Sequence, residues 1–184
     1  MDAFQRALVD ERLCIQQCPE TIKGLGVFAK QDLSKGLRLF VETPMFAYES
    51  KEDALRNIVH DFAMLPFDEQ ILFIRLFAGV IDTVPIIRKL NHDIGYAVAT
   101  PERLRQIAQH NCIEGQGTGC VIQFFCSHLN HSCVPNAWLY WNDARNAMVL
   151  HAVRDIAKGE EITISYLQES VYLNRAQRNA RLEN

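Results

Sequence analysis

The stretch "SHLNHSCVPN", Ser127 to Asn136, sets two histidines, a cysteine, two asparagines and a proline within ten residues. Residues of these types bind metals, fix cofactors or make turns. Cys126, His128, His131 and Cys133 are all zinc-type ligands, but structural zinc sites pair like ligands as C-x(2–4)-C and H-x(3–5)-H. Here the types alternate at spacings of one and two, and on a strand residues two apart share a face while residues three apart do not. Cys14 and Cys18 make a half-site with no second half, so no metal is expected. Two other segments carry chemistry. "KGLGVFA", Lys23 to Ala29, holds Gly24 and Gly26, which without a Cβ let backbone approach a ligand closely. "KGEEITISY", Lys158 to Tyr166, ends an alternating strand on a phenol. Asn130 and His131 supply donors and acceptors for the polar edges of a bound molecule. His60, His92, His110 and His151 have no partner that the sequence names.

The elements that must position these groups are legible in outline. Residues Leu25 to Phe46 read as strands and turns, with "LRLFVE" alternating and Pro44 closing the run. From Ser50 to about His110 the pattern is helical. Ser50 is an N-cap with Asp53 three residues on, before Leu55, Ile58, Val59 and Phe62. "DEQILFIRLFAGVI" follows with acids in its first turn. Thr100 caps a third helix with Pro101 at N1 and Leu104, Ile107 and Ala108 on one face. "CVIQFF", "AWLYW", "AMVLHAV" and "EITISY" then read as strands, with turns at Asn142–Asn146 and Lys158-Gly159. The tail from Glu169 reads as a charged helix. The fold class is therefore mainly β with a helical insert of roughly sixty residues (α+β), in one domain without repeats.

The chain has 184 residues, 48% hydrophobic and 22% charged, enough to bury a core without staples. Its apolar runs are far shorter than a membrane span, and "MDAFQRALVDERLC" is not a secretory signal. A net charge of -3 and a pI of about 6.1 argue against a nucleic-acid backbone as partner and tolerate a short basic peptide. Six irregularly spaced cysteines read as reduced thiols, and the compartment as nuclear or cytoplasmic.

Taken in order, "KGLGVFA", "LNHSCVPN" and "KGEEITISY" resemble the SET-domain family of S-adenosylmethionine-dependent lysine methyltransferases. Within it the chain is similar to the SET-and-MYND subgroup and its fungal relatives, on "SKGLRLFVETPMF" and "NCIEGQGTG…SHLNHSC", without a MYND insert. The resemblance implies small curved β-sheets with a knot-like C-terminal threading. It divides the chain into an N-terminal helical extension (1–21), N-terminal SET strands (22–49), the helical insert (50–111), a C-terminal SET core with the cofactor motifs (112–168) and a C-terminal helix (169–184). It implies that Lys23, Gly24, Leu25, Gly26, Asn111, Asn130, His131 and Tyr166 bind S-adenosylmethionine and that Phe124 and Phe125 line the channel. Glu42 matches an acidic strand position common in the family. Tyr166 is the catalytic candidate.

The implied reaction is methyl transfer from a sulfonium to a lysine amine of a protein or peptide, a histone tail among the candidates. A protonated amine has no lone pair, and lysine's usual pKa is about 10.4. A narrow apolar channel and a nearby sulfonium both favour the neutral form. A tyrosine hydroxyl and neighbouring carbonyls then align the reactants, and alignment supplies most of the rate. Many relatives continue into a C-x-C-x-x-C segment that walls the channel. No cysteine follows Cys133 here, and an open channel would admit water. That keeps two alternatives beside the enzyme: a non-catalytic module binding cofactor or a protein partner, and a scaffold acting on a small molecule.

Overall fold

Short strands joined by tight turns, with helices between them, are what the capping residues and alternation predict. The computed structural model has that order and describes residues 7–9, 11–19, 24–76, 78, 99–115, 119–167 and 174–182. The strands are β1 (Ala7–Val9), β2 (Leu13–Gln17), β3 (Leu25–Ala29), β4 (Arg38–Glu42) and β5 (Phe46–Tyr48). Helices α1 (Lys51–Met64), α2 (Phe67–Phe73) and α3 (Pro101–Asn111) follow. Then come β6 (Ile113–Gly115), β7 (Gly119–Ile122), a 3-10 turn at Cys126–His128, β8 (Asn130–His131), β9 (Ala137–Asn142), β10 (Ala147–Ala152), β11 (Glu161–Ile164) and helix α4 (Arg175–Leu182). Among the described residues, no helix is long and apolar enough to cross a membrane.

The chain divides into two compact units, one of residues 1–8, 41–128 and 141–148, the other of residues 9–40, 129–140 and 149–184. In the first, the β-hairpin β6–β7 extends onto β5 in the order β5-β7-β6. Ser50 Oγ accepts from Asp53 N at 3.1 Å to start α1, and Thr100 Oγ1 accepts from Arg103 N at 3.2 Å to start α3. The helices bury Ile58, Phe62, Phe73, Leu104 and Ile107 against Phe46, Cys120 and Ile122, with Phe46 and Phe73 edge to face at 5.5 Å.

In the second unit the sheet order is β2-β3-β11-β8. Strand β11 runs antiparallel to β3, with Ile162 opposite Val27, and parallel to β8, with Thr163 opposite Asn130. A strand from the end of the chain thus lies between one near its start and the short strand of the cofactor motif. A third sheet has the order β1-β4-β10-β9.

Two expectations need correction. The N-terminal extension was expected to be helical, yet it carries β1 and β2. Its mixed charges suit a helix surface, but Leu13–Gln17 pairs along its whole length with β3, and a ladder partner outweighs weak local propensity. The cysteines were all read as thiols, yet Cys112 and Cys120 form a disulfide across the β6–β7 hairpin, with Cα atoms 5.6 Å apart. Their eight-residue separation says nothing until the hairpin register brings the two together.

Candidate cofactor and catalytic site

The second unit gathers most of the groups singled out by type and spacing. Gly24 adopts a left-handed φ of +68°, and its carbonyl accepts from Cys18 N at 2.8 Å and Gln17 Nε2 at 2.9 Å. That carbonyl is therefore already engaged, while among the described residues nothing lies within 4 Å of where a Cβ on Gly24 would sit. Gly26 is different. A Cβ there would meet Glu161 Oε1 at 2.8 Å, Cys18 Sγ at 2.9 Å and Asn130 Nδ2 at 3.0 Å, so glycine is required by close approach.

Asn130 sits at the centre of that contact. Its Nδ2 donates to Glu161 Oε1 at 2.7 Å, to the Leu25 carbonyl at 3.1 Å and to Cys18 Sγ at 3.4 Å. Asn136, 1% exposed, holds the other end of the motif to the terminal strand: Nδ2 donates to the Glu161 carbonyl at 2.8 Å and Oδ1 accepts from Thr163 N at 2.8 Å. Buried amides satisfied at both ends fix a loop firmly.

Tyr166 lies just beyond β11. Its hydroxyl donates to the Leu129 carbonyl at 2.7 Å, and its backbone N–H donates to His131 Nδ1 at 3.1 Å. The two rings are 5.4 Å apart. The residue is 55% exposed overall, and its hydroxyl bond to Leu129 is part-buried. Burial and the Glu161 charge push its pKa up to about 12. Because His131 Nδ1 accepts, the neutral ring carries its proton on Nε2, which faces Cys133 Sγ at 3.3 Å. Burial and the Arg178 charge lower the His131 pKa, which keeps that neutral form.

Asn111, Phe124 and Phe125 belong to the first unit. Asn111 is buried and donates to the Ile107 carbonyl at 2.8 Å, one turn back in α3. Phe125 is buried, and Phe124 packs against the helical core and edge-on to His128 at 4.8 Å. The turn that bears them is anchored by Glu42, whose carboxylate accepts from Phe125 N at 2.7 Å and Cys126 N at 2.9 Å. Lys23 lies outside the described residues. Sequence reasoning passed over Glu161, Asn136 and Cys18. The adjacent acids of "GEE" were the available signal for Glu161, since a strand points them to opposite faces. Cys18 and Asn136 gave no such sign.

The SET domain family profile matches residues 24–167, which contain the glycine turn, Asn130, His131, Glu161 and Tyr166. The chain belongs to the SET-domain family. This SET domain has the family's fold of small mixed β-sheets with a few helices. It is 31% identical over 146 residues to histone-lysine N-methyltransferase set5 of Schizosaccharomyces pombe, covering 79% of this chain and 39% of that protein. Over 57 residues it is 47% identical to protein-lysine N-trimethyltransferase SMYD5 of Gallus gallus, and over 54 residues 46% identical to histone-lysine N-methyltransferase SMYD3 of Homo sapiens. Each of those two matches covers 12% of the relative. The SET domain thus spans less than half the length of the curated relatives it matches.

Proposed function

We propose that this SET domain is an S-adenosylmethionine-dependent protein-lysine N-methyltransferase of the SET-and-MYND and fungal Set5 kind, with a histone or other basic peptide as substrate. Similarity to set5 over 79% of the chain supports the reaction class, and a nuclear or cytoplasmic setting is proposed with it. One observation carries the catalytic part. The Tyr166 hydroxyl is tied to the carbonyl of Leu129, the residue just before Asn130.

The groups present fit the cofactor. Among the described residues nothing crowds the Cβ position of Gly24, and Asn130 Oδ1 meets no donor, so it can accept from an ammonium. Gly24, Leu25, Gly26, Asn130 and His131 would hold S-adenosylmethionine, which when bound supplies a methyl group on a sulfonium. Lys23 and Asn111 are assigned the same role, and Phe124 and Phe125 the channel, on family resemblance.

Tyr166 works by alignment. Its hydroxyl proton is committed to Leu129, so its lone pairs remain to accept an N–H from the incoming amine or a weak contact from a polarised methyl. With a pKa pushed up to about 12, the phenol stays protonated at neutral pH and is no base. The amine loses its proton to solvent before it meets Tyr166.

Calorimetry with S-adenosylmethionine, together with turnover on a histone-tail peptide, tests this for wild type and Tyr166→Phe. Both are expected to bind in the micromolar range, with turnover in wild type alone. Turnover retained by the variant would remove Tyr166 from this role. Binding by wild type without turnover on any lysine substrate would favour the cofactor-binding module instead.

A further inference from the structure

We propose that Glu161 is a positioning residue of this site, which locks the Asn130 amide with its oxygen turned to the ligand and makes the pocket prefer a cationic sulfonium to its neutral thioether product. The inference rests on the cofactor reading above and assigns work to the second acid of "KGEEITISY", which that reading leaves unused.

The first part follows from hydrogen-bond inventory. The Asn130 side chain offers two N–H donors at one end and an acceptor at the other. Around its Nδ2 stand a carboxylate oxygen of Glu161 at 2.7 Å, the Leu25 carbonyl at 3.1 Å and Cys18 Sγ at 3.4 Å. The first two only accept. The thiol of Cys18 is directed at the same Glu161 oxygen, 3.5 Å away, which leaves the sulfur lone pairs for Asn130. Turning the amide over would set Oδ1 against a carboxylate and a carbonyl, three acceptors together. Glu161, at the shortest distance, and the Leu25 carbonyl together exclude the flipped amide. Oδ1 meets no donor among the described residues, so it is presented for a ligand's N–H.

The cluster is also closely built. Gly26 has no room for a Cβ because Glu161, Cys18 and Asn130 occupy that space within 3.0 Å. Moving the carboxylate away would remove the shortest of the three contacts to Nδ2 and leave the longer ones to Leu25 and Cys18.

The second part is electrostatic. Glu160, the residue before β11, pairs with Arg154 at 2.5 Å. Glu161 faces Asn130, assigned to the ligand's ammonium, and its charge also reaches Tyr166, the group assigned to the reacting end, so its field extends to where the sulfur would lie. A carboxylate in a partly desolvated site attracts a ligand with a sulfonium more than one whose sulfur is neutral. Loss of the methyl removes that attraction and favours release of the thioether.

Two substitutions separate position from charge. Glu161→Gln keeps an oxygen for Asn130 and removes the charge; Glu161→Ala removes both. The readouts are the side-chain amide NMR signals of Asn130 without ligand, and calorimetric affinities for S-adenosylmethionine and S-adenosylhomocysteine. In wild type and Glu161→Gln the Asn130 signals are expected to stay shifted and split, and in Glu161→Ala to collapse toward free-amide positions. Glu161→Gln is expected to weaken sulfonium binding by about five- to tenfold while leaving thioether binding within about twofold. Glu161→Ala should weaken both by about tenfold or more.

Unmoved Asn130 signals in a folded Glu161→Ala would overturn the positioning role. Equal losses for both ligands in Glu161→Gln, or no loss for either, would overturn the charge preference. If Glu161→Ala does not fold, Glu161→Gln alone still decides the charge, and a shift of the Asn130 signals there would sink the lock. Failure of wild type to bind either ligand would overturn the cofactor reading and the preference with it, while the ligand-free amide signals would still judge the lock.

Discussion

Asn130 concentrates the chemistry of the site in one side chain. It donates to Glu161, Leu25 and Cys18, and its Oδ1 meets no donor among the described residues. Asn130→Ala removes that acceptor, and cofactor affinity measured by calorimetry is expected to fall by about 1–3 kcal/mol, the usual cost of deleting a buried polar partner. An unchanged affinity would place the ligand away from Asn130. Tyr166 and His131 form the neighbouring unit of this scale, with a protonated phenol and a neutral imidazole set by burial and by the Glu161 and Arg178 charges respectively. The types of these residues were readable from the sequence, as was the nomination of Tyr166. Which acceptors the Asn130 Nδ2 meets was not, because the nearest of them, on Glu161, lies 31 positions away.

At the scale of elements, short strands rely on side chains that cross between segments. Glu42, at the end of β4, is 2% exposed and accepts the N–H groups of Phe125 and Cys126. Burial raises its pKa, and those two donors oppose the rise. Glu42→Ala would leave both N–H groups buried without an acceptor, at about 1–3 kcal/mol for each. Urea denaturation is expected to show a loss of about 2–5 kcal/mol, and a loss under about 1 kcal/mol would mean that water replaces the carboxylate. The strands, helix caps and turns were largely legible, since Ser50, Thr100 and Asn142–Asn146 act locally. The strand at Leu13–Gln17 and the Cys112–Cys120 pair were not, because each depends on a partner that only the sheet register supplies.

For the molecule as a whole, the buried histidines make stability depend on pH. His128, 7% exposed, donates from Nδ1 to the Phe124 carbonyl at 2.7 Å, and burial lowers its pKa below 6.5. In the window between that lowered value and the unfolded one, the unfolded chain binds more protons. Stability therefore falls as pH drops through about 6.5. His131 adds in the same direction, while Glu42, with a raised pKa, acts oppositely in the window above its unfolded value, where the native chain holds the extra proton. Denaturant melts between about pH 5 and 7.5 should give a shallower decline for His128→Gln than for wild type. Parallel declines would show that His128 titrates alike in both states.

By itself the sequence determined which residues could do chemistry, their order, and the local elements that carry them. Hydrogen-bonding capacity, capping and alternation are properties of residue type and near neighbours, and the family's motifs are written in those terms. The tertiary structure alone decided that β11 lies between β3 and β8, bringing Gly26, Asn130, Glu161 and Cys18 into one contact. The reason is physical: that arrangement is a matter of strand pairing between segments distant in the chain, with Ile162 opposite Val27 and Thr163 opposite Asn130, and no local preference specifies the partner.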